Sequence, residues 1–332
     1  MSTLGSNVVT LTDWAKRRDP DGKIAVIIEM LSQSNPILLD MMWREGNLPT
    51  GHQTTVRTGL PSVFWKILNR GTPTSKSTTA QITEAIGIME SWSEVDEDIA
   101  TLEANLNEFR LSEAVAFVQA MNQEMASTLF YGNSSIDPEE FTGLAPRYSD
   151  LSAANAKNIV VGGGSQSDNS SIWFVCWGTG IHGIYPKGSQ AGLQHDDFGL
   201  VTVEETAGLG GNRMRAYQDR WKWKNGIAVK DWRDAVRIPN IDVSNLVAEA
   251  GAADLTKLMI KAVHRLINRA GKSCAIYMNR TVFEFLDIQR KDDVMSGGGI
   301  TYRNVDGEEI AFFRGIPIRV TDALLETEAL VT

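Results

Sequence analysis

Residues 57–78 read RTGLPSVFWKILNRGTPTSKST and predict an excursion from the body of the protein. The segment contains two Gly-x-Pro units, at 59–61 and 71–73, and its many Ser and Thr residues suit a loop or a strand at the edge of a sheet. A compact apolar cluster nevertheless lies between the two units. On an isolated monomer such a patch promotes association. The cluster and the lysine within it are Phe64, Trp65, Lys66, Ile67 and Leu68.

The excursion extends over residues 46–81, which are rich in Gly, Pro and Thr. Its composition predicts a two-stranded β-hairpin with strands at Thr54–Val56 and Phe64–Leu68. A segment of this length without a core of its own is uncommon inside a compact domain and usually has a function.

Chain length, composition and net charge restrict the class of protein. The chain has 332 residues, of which 42% are hydrophobic and 22% charged, as in an ordinary globular protein. Its net charge of −9 argues against non-specific binding of nucleic acid over the whole surface. No apolar run approaches the roughly 18 residues of a membrane span, and the N-terminus lacks a secretory pattern, so we expect a cytoplasmic origin. Cys176 and Cys274 are interpreted as buried reduced thiols, and a disulfide between them remains open.

Hydrophobic periodicity predicts a long helix over Glu113–Tyr131, with Ser112 capping its start and Gly132 its end. A second good helix is predicted at Asp254–Ala270, and two shorter helices at Asp21–Gln33 and Thr281–Gln289. The apolar stripe of the long helix is normally core packing. The residues predicted to form that core are Val115, Val118, Met125 and Leu129.

β-strand signals dominate the second half of the chain. Asn225-Gly226 is the strongest short hairpin signal and predicts a turn between two strands. A C-terminal meander is predicted with turns at Asp306-Gly307 and Arg314-Gly315. The predicted strands are Ile172–Trp177, Leu200–Glu204, Trp221–Lys224, Ile227–Lys230, Cys274–Met278, Ile300–Arg303, Glu309–Phe313 and Ile316–Val320.

The sequence shows no recognisable set of catalytic residues. AGKS at 270–273 imitates the end of a P-loop, but a helix precedes it where a strand is needed. His195-Asp196-Asp197 offers metal ligands without a further His or Cys at ligand spacing, and we interpret it as an acidic turn. No enzyme activity, cofactor or metal is therefore predicted.

Residues 213–237 interleave Arg and Lys with Tyr and Trp. Such interleaving is one way to bind single-stranded nucleic acid by stacking. It is also what the half-buried strands of a hairpin need, with Trp221 and Trp223 on one face and Lys222 and Lys224 on the other. We favour the hairpin.

The order of elements resembles the major capsid proteins of tailed bacteriophages with the Hong Kong 97-like fold, in particular a subgroup of short-tailed phages resembling epsilon-fifteen. STLFYGNSSIDPEEFTGLAPRY (127–148) is similar to the exit of that family's spine helix. KNGIAVKDWRDAVRIPNID (224–242), CAIYMNRTVFEFLD (274–287) and GEEIAFFRGIPIRVTDAL (307–324) also resemble family segments. Each motif is loose, and the resemblance depends on their order along nearly the whole chain.

The resemblance implies an α+β capsid fold with an N-terminal arm, an extended β-hairpin loop, a long spine helix, and peripheral and axial domains. Copies would form hexamers and pentamers that build an icosahedral shell around packaged double-stranded DNA. Residues 64–68 would then contact a neighbouring subunit. The implied segments are the arm at 1–45, the extended loop at 46–81, the peripheral domain with the spine helix at 82–148, the axial domain with its return at 149–295, and the C-terminal peripheral strands at 296–332.

The resemblance also implies partners and a place of assembly. We expect a separate scaffolding protein, because the arm is too short to contain a fused one, and a portal protein and a cement protein beside it. The DNA would be enclosed without sequence-specific binding, no membrane would be involved, and shells would assemble in the host cytoplasm. The alternative from the same fold is an encapsulin nanocompartment, which holds an enzyme cargo instead of DNA.

Overall fold

A computed structural model describes residues 33–102, 106–204, 213–249, 251–267, 269–292, 300–305 and 308–332. The helix predicted at 21–33 lies outside these residues except for its last position, and the turn predicted at Asp306-Gly307 also lies outside them.

The described chain mixes helices and strands. The α-helices are α1 (Ile37–Asp40), α2 (Glu97–Thr101), α3 (Leu106–Tyr131), α4 (Val243–Val247), α5 (Leu255–Arg265) and α6 (Arg280–Asp292). The strands are β1 (Trp43–Glu45), β2 (Gly51–Gly59), β3 (Thr78–Ala85), β4 (Gly87–Asp96), β5 (Asn169–Trp177), β6 (Ile181–Tyr185), β7 (Gln194–Glu204), β8 (Arg213–Val229), β9 (Ala235–Asp242), β10 (Ser273–Met278), β11 (Ile300–Val305), β12 (Glu308–Phe313) and β13 (Ile316–Val320).

The chain divides into two compact units that interleave along the sequence. The first comprises Met1–Asn35, Ile88–Ser127 and Gly192–Lys224, and the second comprises Pro36–Gly87, Thr128–Ala191 and Asn225–Thr332. Three of the five divisions fall inside elements, namely β4, α3 and β8.

The second unit is organised around a six-stranded sheet in the order β11-β12-β13-β10-β5-β9. β10 and β13 run parallel, and the other neighbours are antiparallel. Every residue of β5 is buried, as expected for a central strand with the continuous apolar run IWFVCW. In the same unit, β2 and β3 form a separate two-stranded sheet, and β6 lies between β1 and the second half of β8.

Helix α5 packs on this sheet and confirms the helix predicted at Asp254–Ala270. Asp254 caps it by accepting a hydrogen bond from the backbone N–H of Lys257. Its apolar face is buried, but the helix ends at Arg265, because Leu266 turns to extended backbone and is itself buried.

The turn predicted at Arg314-Gly315 is confirmed. Both residues have positive φ angles, +49° and +83°, and they join β12 to β13. Asn279 caps α6, because its side chain accepts a hydrogen bond from the N–H of Thr281 at 3.0 Å.

Helix α3 is longer than predicted and its apolar stripe is divided. The helix begins seven residues before Glu113, so Ser112 lies inside it and donates to the carbonyl of Phe109. Met125 and Leu129 are buried. Val115 and Val118 are 48% and 40% exposed, so the prediction that they join the core needs correction for the single subunit. A different face of this part of the helix packs on β8, where Phe117 stacks on Trp221 with the ring centroids 5.0 Å apart.

The prediction of a hairpin turn at Asn225-Gly226 is wrong. β8 runs through both residues without a turn, pairing with β7 before them and with β6 after them. Gly226 is needed for close approach instead of for a turn: a Cβ there would lie 2.7 Å from the carbonyl oxygen of Ala85. Sequence alone cannot distinguish these two uses of glycine.

The two cysteines form a disulfide between Cys176 and Cys274. They stand directly opposite each other in the antiparallel pairing of β5 with β10. The interpretation as reduced thiols is therefore corrected, because the register that brings together two residues 98 positions apart is not visible in the sequence.

Candidate intersubunit surface

The excursion is an antiparallel hairpin with a long tip. β2 pairs with β3 from Gly51 opposite Ala85 to Gly59 opposite Thr78, with an irregularity between Arg57 and Gly59. Residues 60–77, called the tip below, contain no helix or strand. Thr54–Val56 lies in β2 as predicted.

The prediction that Phe64–Leu68 forms the second strand of the hairpin is wrong. These residues lie in the tip, and the partner of β2 is the Thr-rich segment Thr78–Ala85. Phe64–Leu68 has the composition of a strand but pairs with no strand in the described part of the chain, so composition alone misplaced the pairing.

All five predicted contact residues are exposed in the single subunit. Trp65 is fully exposed at 102%, and Leu68 is 88% exposed. Phe64, Lys66 and Ile67 are also exposed. The tip carries two further exposed apolar residues that were not predicted, Leu60 and Val63. Their proximity to the cluster in sequence was the signal that could have found them. A cluster of exposed apolar side chains of this kind is typical of an interaction site.

Few internal contacts hold the tip. The hydroxyl of Ser75 donates to the carbonyl of Ser62 at 2.7 Å, and the N–H of Arg70 donates to the carbonyl of Ile67 at 3.1 Å. Asn69 supports this turn with a left-handed φ of +63°. The tip is therefore shaped locally by polar contacts while its apolar side chains point away from any core.

The base of the hairpin is anchored firmly. The guanidinium of Arg147 donates two hydrogen bonds to the carboxylate of Glu84 in β3, at 2.7 and 2.6 Å. Such a bidentate pair fixes orientation as well as distance. On the other strand, the side chain of Asn47 both donates to and accepts from the backbone of Gln53 at 2.7 Å. The hairpin thus has a rigid root and a sparsely held tip.

Two imidazoles meet near this root. The rings of His52 and His182 are 5.9 Å apart and approximately perpendicular. Burial, followed by the charges of Lys230 and Arg44, lowers the pKa of His182 to about 4. Burial and Lys230 also lower the pKa of His52, against an opposing effect of Glu84. Both rings are therefore neutral at pH 7.

The excursion is strongly basic. Residues 46–81 contain four Arg or Lys residues and no Asp or Glu. Since the whole chain has a net charge of −9, the excursion at +4 leaves −13 for the remainder. The basic residues of the excursion are Arg57, Lys66, Arg70 and Lys76.

The basic and aromatic stretch at 213–237 is occupied by internal contacts. Trp221 is buried between Phe117 and the ring of His195, which stacks on it at 5.2 Å. This arrangement fits the half-buried strand pattern of the hairpin that we favoured, although β8 continues without the hairpin turn. Five of the cations in the stretch pair with carboxylates: Arg215 with Glu97, Arg220 with Asp196, Lys222 with Glu90, Arg233 with Asp231, and Arg237 with Glu328.

The acidic stretch at 195–197 lies on β7 and not in a turn. Asp196 pairs with Arg220 at 2.6 Å, and Asp197 pairs with Arg110 at 2.6 Å. His195 lies 2.9 Å from the carboxylate of Asp219. Within the described ranges, no group of three or more His, Cys, Asp or Glu residues is placed to hold a metal ion. In that same part of the chain, no helix has both the length and the apolarity to cross a membrane.

A family model described as Major capsid protein GP7 matches residues 19–332. The chain belongs to this family of major capsid proteins. A chain in a near-atomic structure of bacteriophage Epsilon15 is 31% identical to this capsid protein, with each chain covered over 100% of its length and a TM-score of 0.81. The mixed helix and sheet architecture is thus that of a phage capsid protein, as the resemblance implied. No curated protein matches the sequence.

More distant structures match in part. The SrpI encapsulin from Synechococcus elongatus PCC 7942 is 11% identical over 70% of this chain and 96% of its own, with a TM-score of 0.45. A chain from Microbacterium phage Oxtober96 is 10% identical over 69% of this chain and 98% of its own, with a TM-score of 0.43. Likenesses this weak carry no argument about function, and the capsid assignment rests on the two stronger matches.

Proposed function

We propose that this capsid protein self-assembles as hexamers and pentamers into an icosahedral shell, and that the tip of the excursion docks on a neighbouring subunit. The observation that carries the proposal is the exposed apolar tip on an anchored hairpin. Burying a large apolar side chain contributes about 1.5–3 kcal/mol, so a few tip residues would supply a substantial part of a subunit contact.

Charge supports the same docking. A basic excursion on an otherwise acidic chain favours contact with the acidic remainder of another copy, and opposite charges guide such an encounter. The negative remainder also suits a wall around packaged double-stranded DNA, because it does not hold phosphates tightly.

The proposal includes the wider assembly. The protein acts as a structural component without catalysis, and shells assemble in the host cytoplasm with a separate scaffolding protein, a portal protein and a cement protein. Residues 1–45 serve as the arm and 46–81 as the extended loop. Residues 82–148 and 296–332 supply the peripheral domain, and 149–295 the axial domain with its return.

The test compares two leucines of nearly equal exposure, Leu68 in the tip at 88% and Leu39 in α1 at 89%. We expect Leu68→Ala and Trp65→Ala to keep the thermal stability of the subunit and to reduce the yield of shells severalfold. Leu39→Ala should assemble normally. Light scattering and electron microscopy measure assembly, and circular dichroism measures folding.

Two results would contradict the docking role. If Trp65→Ala unfolds the subunit, the cluster belongs to its own core. If Leu39→Ala impairs assembly as much as Leu68→Ala, loss of any exposed apolar group matters and the tip is not special.

A further inference from the structure

The disulfide connects the two sides of the six-stranded sheet of the second unit. β5 and β9 form one side of this sheet and β10 to β13 form the other, so the two sides meet where β5 pairs with β10. Cys176 of β5 lies directly opposite Cys274 of β10 in this antiparallel pairing. The bond therefore fixes the register at the centre of the sheet, between segments that are 98 positions apart in sequence.

The two cysteines differ in their access to solvent. Cys176 is 1% exposed, in a strand whose residues are all buried. Cys274 is half-buried and is the second residue of β10. It follows the exposed Ser273, and Gly271 before it is exposed as well, with a positive φ of +73°. A reagent in solution therefore meets Cys274 first.

The surroundings also suit the reduced pair. Cys176 belongs to the main apolar core of the second unit, and Cys274 packs against that core. A free cysteine behaves as a small apolar residue in such a place. The two strands pair from Ser273 opposite Trp177 to Tyr277 opposite Trp173. Since this pairing does not depend on the sulfurs, we expect the reduced chain to adopt the same fold.

We propose that Cys176 and Cys274 form a redox switch, reduced while subunits fold and assemble, and oxidised once particles have left the reducing interior of the host cell. The inference rests on the proposed assembly in the host cytoplasm, where glutathione and thioredoxin keep thiols reduced. A persistent disulfide in a protein made there needs a later oxidation step. The bond then stabilises the finished particle without constraining the subunits during assembly.

The oxidant is a small-molecule disulfide, and the reaction is thiol–disulfide exchange. The thiolate of Cys274 attacks one sulfur of the small disulfide, and a mixed disulfide forms as a small thiolate leaves. The thiolate of Cys176 then attacks the sulfur of Cys274 and displaces the second small thiolate. The two cysteines lose two protons and two electrons in total, and the small disulfide becomes two thiols.

A count of thiols in the full chain tests the timing. Cells that express the protein are lysed directly into denaturant with an alkylating agent, and the protein is weighed by mass spectrometry. We expect both cysteines to be alkylated, and neither after the folded protein has been incubated with oxidised glutathione. A disulfide already present in the cells, or thiols that stay free after oxidised glutathione, would overturn the proposal. The count does not depend on particles, so a chain that passes it and forms no shells contradicts the assembly proposal alone.

Two variants with one cysteine each test the order of attack. Cys176→Ala leaves the half-buried Cys274, and Cys274→Ala leaves the buried Cys176. With oxidised glutathione, folded Cys176→Ala should form the mixed disulfide about tenfold faster or more, because access of the attacking thiolate controls the rate. In denaturant the two variants should react alike, which controls for intrinsic reactivity. Equal rates in the folded proteins would refute Cys274 as the first residue to react.

Urea unfolding measures what the switch does. The unfolding equilibrium constant of the oxidised protein should be about 30- to 1,000-fold lower than that of the reduced protein, as for other disulfides that close long loops. The double variant Cys176→Ala/Cys274→Ala should unfold at the same urea concentration under both conditions. Equal midpoints for the oxidised and the reduced wild-type protein would show that the bond does not stabilise the subunit, and would overturn the switch.

Discussion

Buried polar side chains hold the C-terminal segment of the second unit onto its sheet. Arg237 in β9 donates to Glu328 at 2.8 Å, and Tyr131 donates to the other carboxylate oxygen at 2.5 Å. Ser171 also donates to this carboxylate. Burial and the charge of Glu328 raise the pKa of Tyr131, so its hydroxyl remains a donor at any physiological pH. Nearby, Asn240 makes two hydrogen bonds with the backbone of Val331.

We expect Arg237→Ala to reduce the free energy of unfolding by about 3–5 kcal/mol, because it leaves the carboxylate of Glu328 buried and unpaired. Arg215→Ala is the matched control. Arg215 also pairs with a carboxylate, but its side chain is 60% exposed, and exposed pairs contribute about 0–1 kcal/mol. Urea unfolding of both variants measures the difference. Similar losses would show that the buried network is not what holds the segment.

The lowered pKa of His182 predicts a loss of stability in acid. Above pH 6.5 the imidazole is neutral in both the folded and the unfolded chain. As the pH falls from 6.5 towards about 4, the unfolded chain takes up a proton that the folded chain does not, so stability decreases. The full effect is about 3 kcal/mol. His182→Gln should flatten this part of the profile, and a slope equal to that of the wild type would refute the assignment.

At the level of secondary structure elements, β8 and the excursion show which features the residue composition predicts and which it does not. Gly and Pro predicted irregular backbone in this segment, because they exclude regular packing wherever the chain must turn, and residues 60–77 are irregular. Composition did not identify the partner of β2, since Phe64–Leu68 and Thr78–Ala85 are both acceptable strands and only pairing decides between them. The turn predicted at Asn225-Gly226 was wrong for a similar reason. The sequence does not distinguish a glycine that allows a neighbouring backbone to approach closely from one that forms a turn.

Long-range contacts were beyond prediction. Glu328 meets Arg237 across 91 positions of sequence, and no local pattern indicates that the two are partners. The sequence also did not show that the apolar stripe of α3 is exposed in its first half and buried in its second half. Val115 and Met125 share the same apolar character, and only the neighbours of the helix decide which of them is covered by the subunit.

Gly226→Ala is expected to destabilise the subunit by about 1–3 kcal/mol, because the added methyl group would clash with the carbonyl of Ala85 and backbone must shift. Gly71→Ala in the tip is the control, since no atom lies within 4 Å of the place that its added methyl group would take. Thermal unfolding of the two variants tests this. An unchanged midpoint for Gly226→Ala would show that β3 and β8 are free to separate there.

On the scale of the whole molecule, charge is distributed unevenly along the chain. The excursion carries +4 and the remainder −13. Copies that dock through the excursion would therefore attract one another locally while their bodies repel. Salt screens such interactions over a Debye length of about 10 Å at 0.1 M.

Arg70→Glu should slow assembly severalfold at low salt, with the difference shrinking as the salt concentration rises. Lys187→Glu makes the same change of charge outside the excursion and should have a smaller effect. Light scattering over a series of salt concentrations measures the rates. Equal effects of the two substitutions at every concentration would indicate that only net charge matters.

The lack of carboxylates in the excursion makes it a natural reporter of its own accessibility. Lys66, Arg70 and Lys76 offer three cleavage positions for trypsin within the irregular tip, whereas a glutamate-specific protease has no position between Glu45 and Glu84. Free subunits should be nicked by the first protease within this window and spared there by the second. Protection from trypsin would then measure, without any label, the fraction of tips that a neighbour has covered.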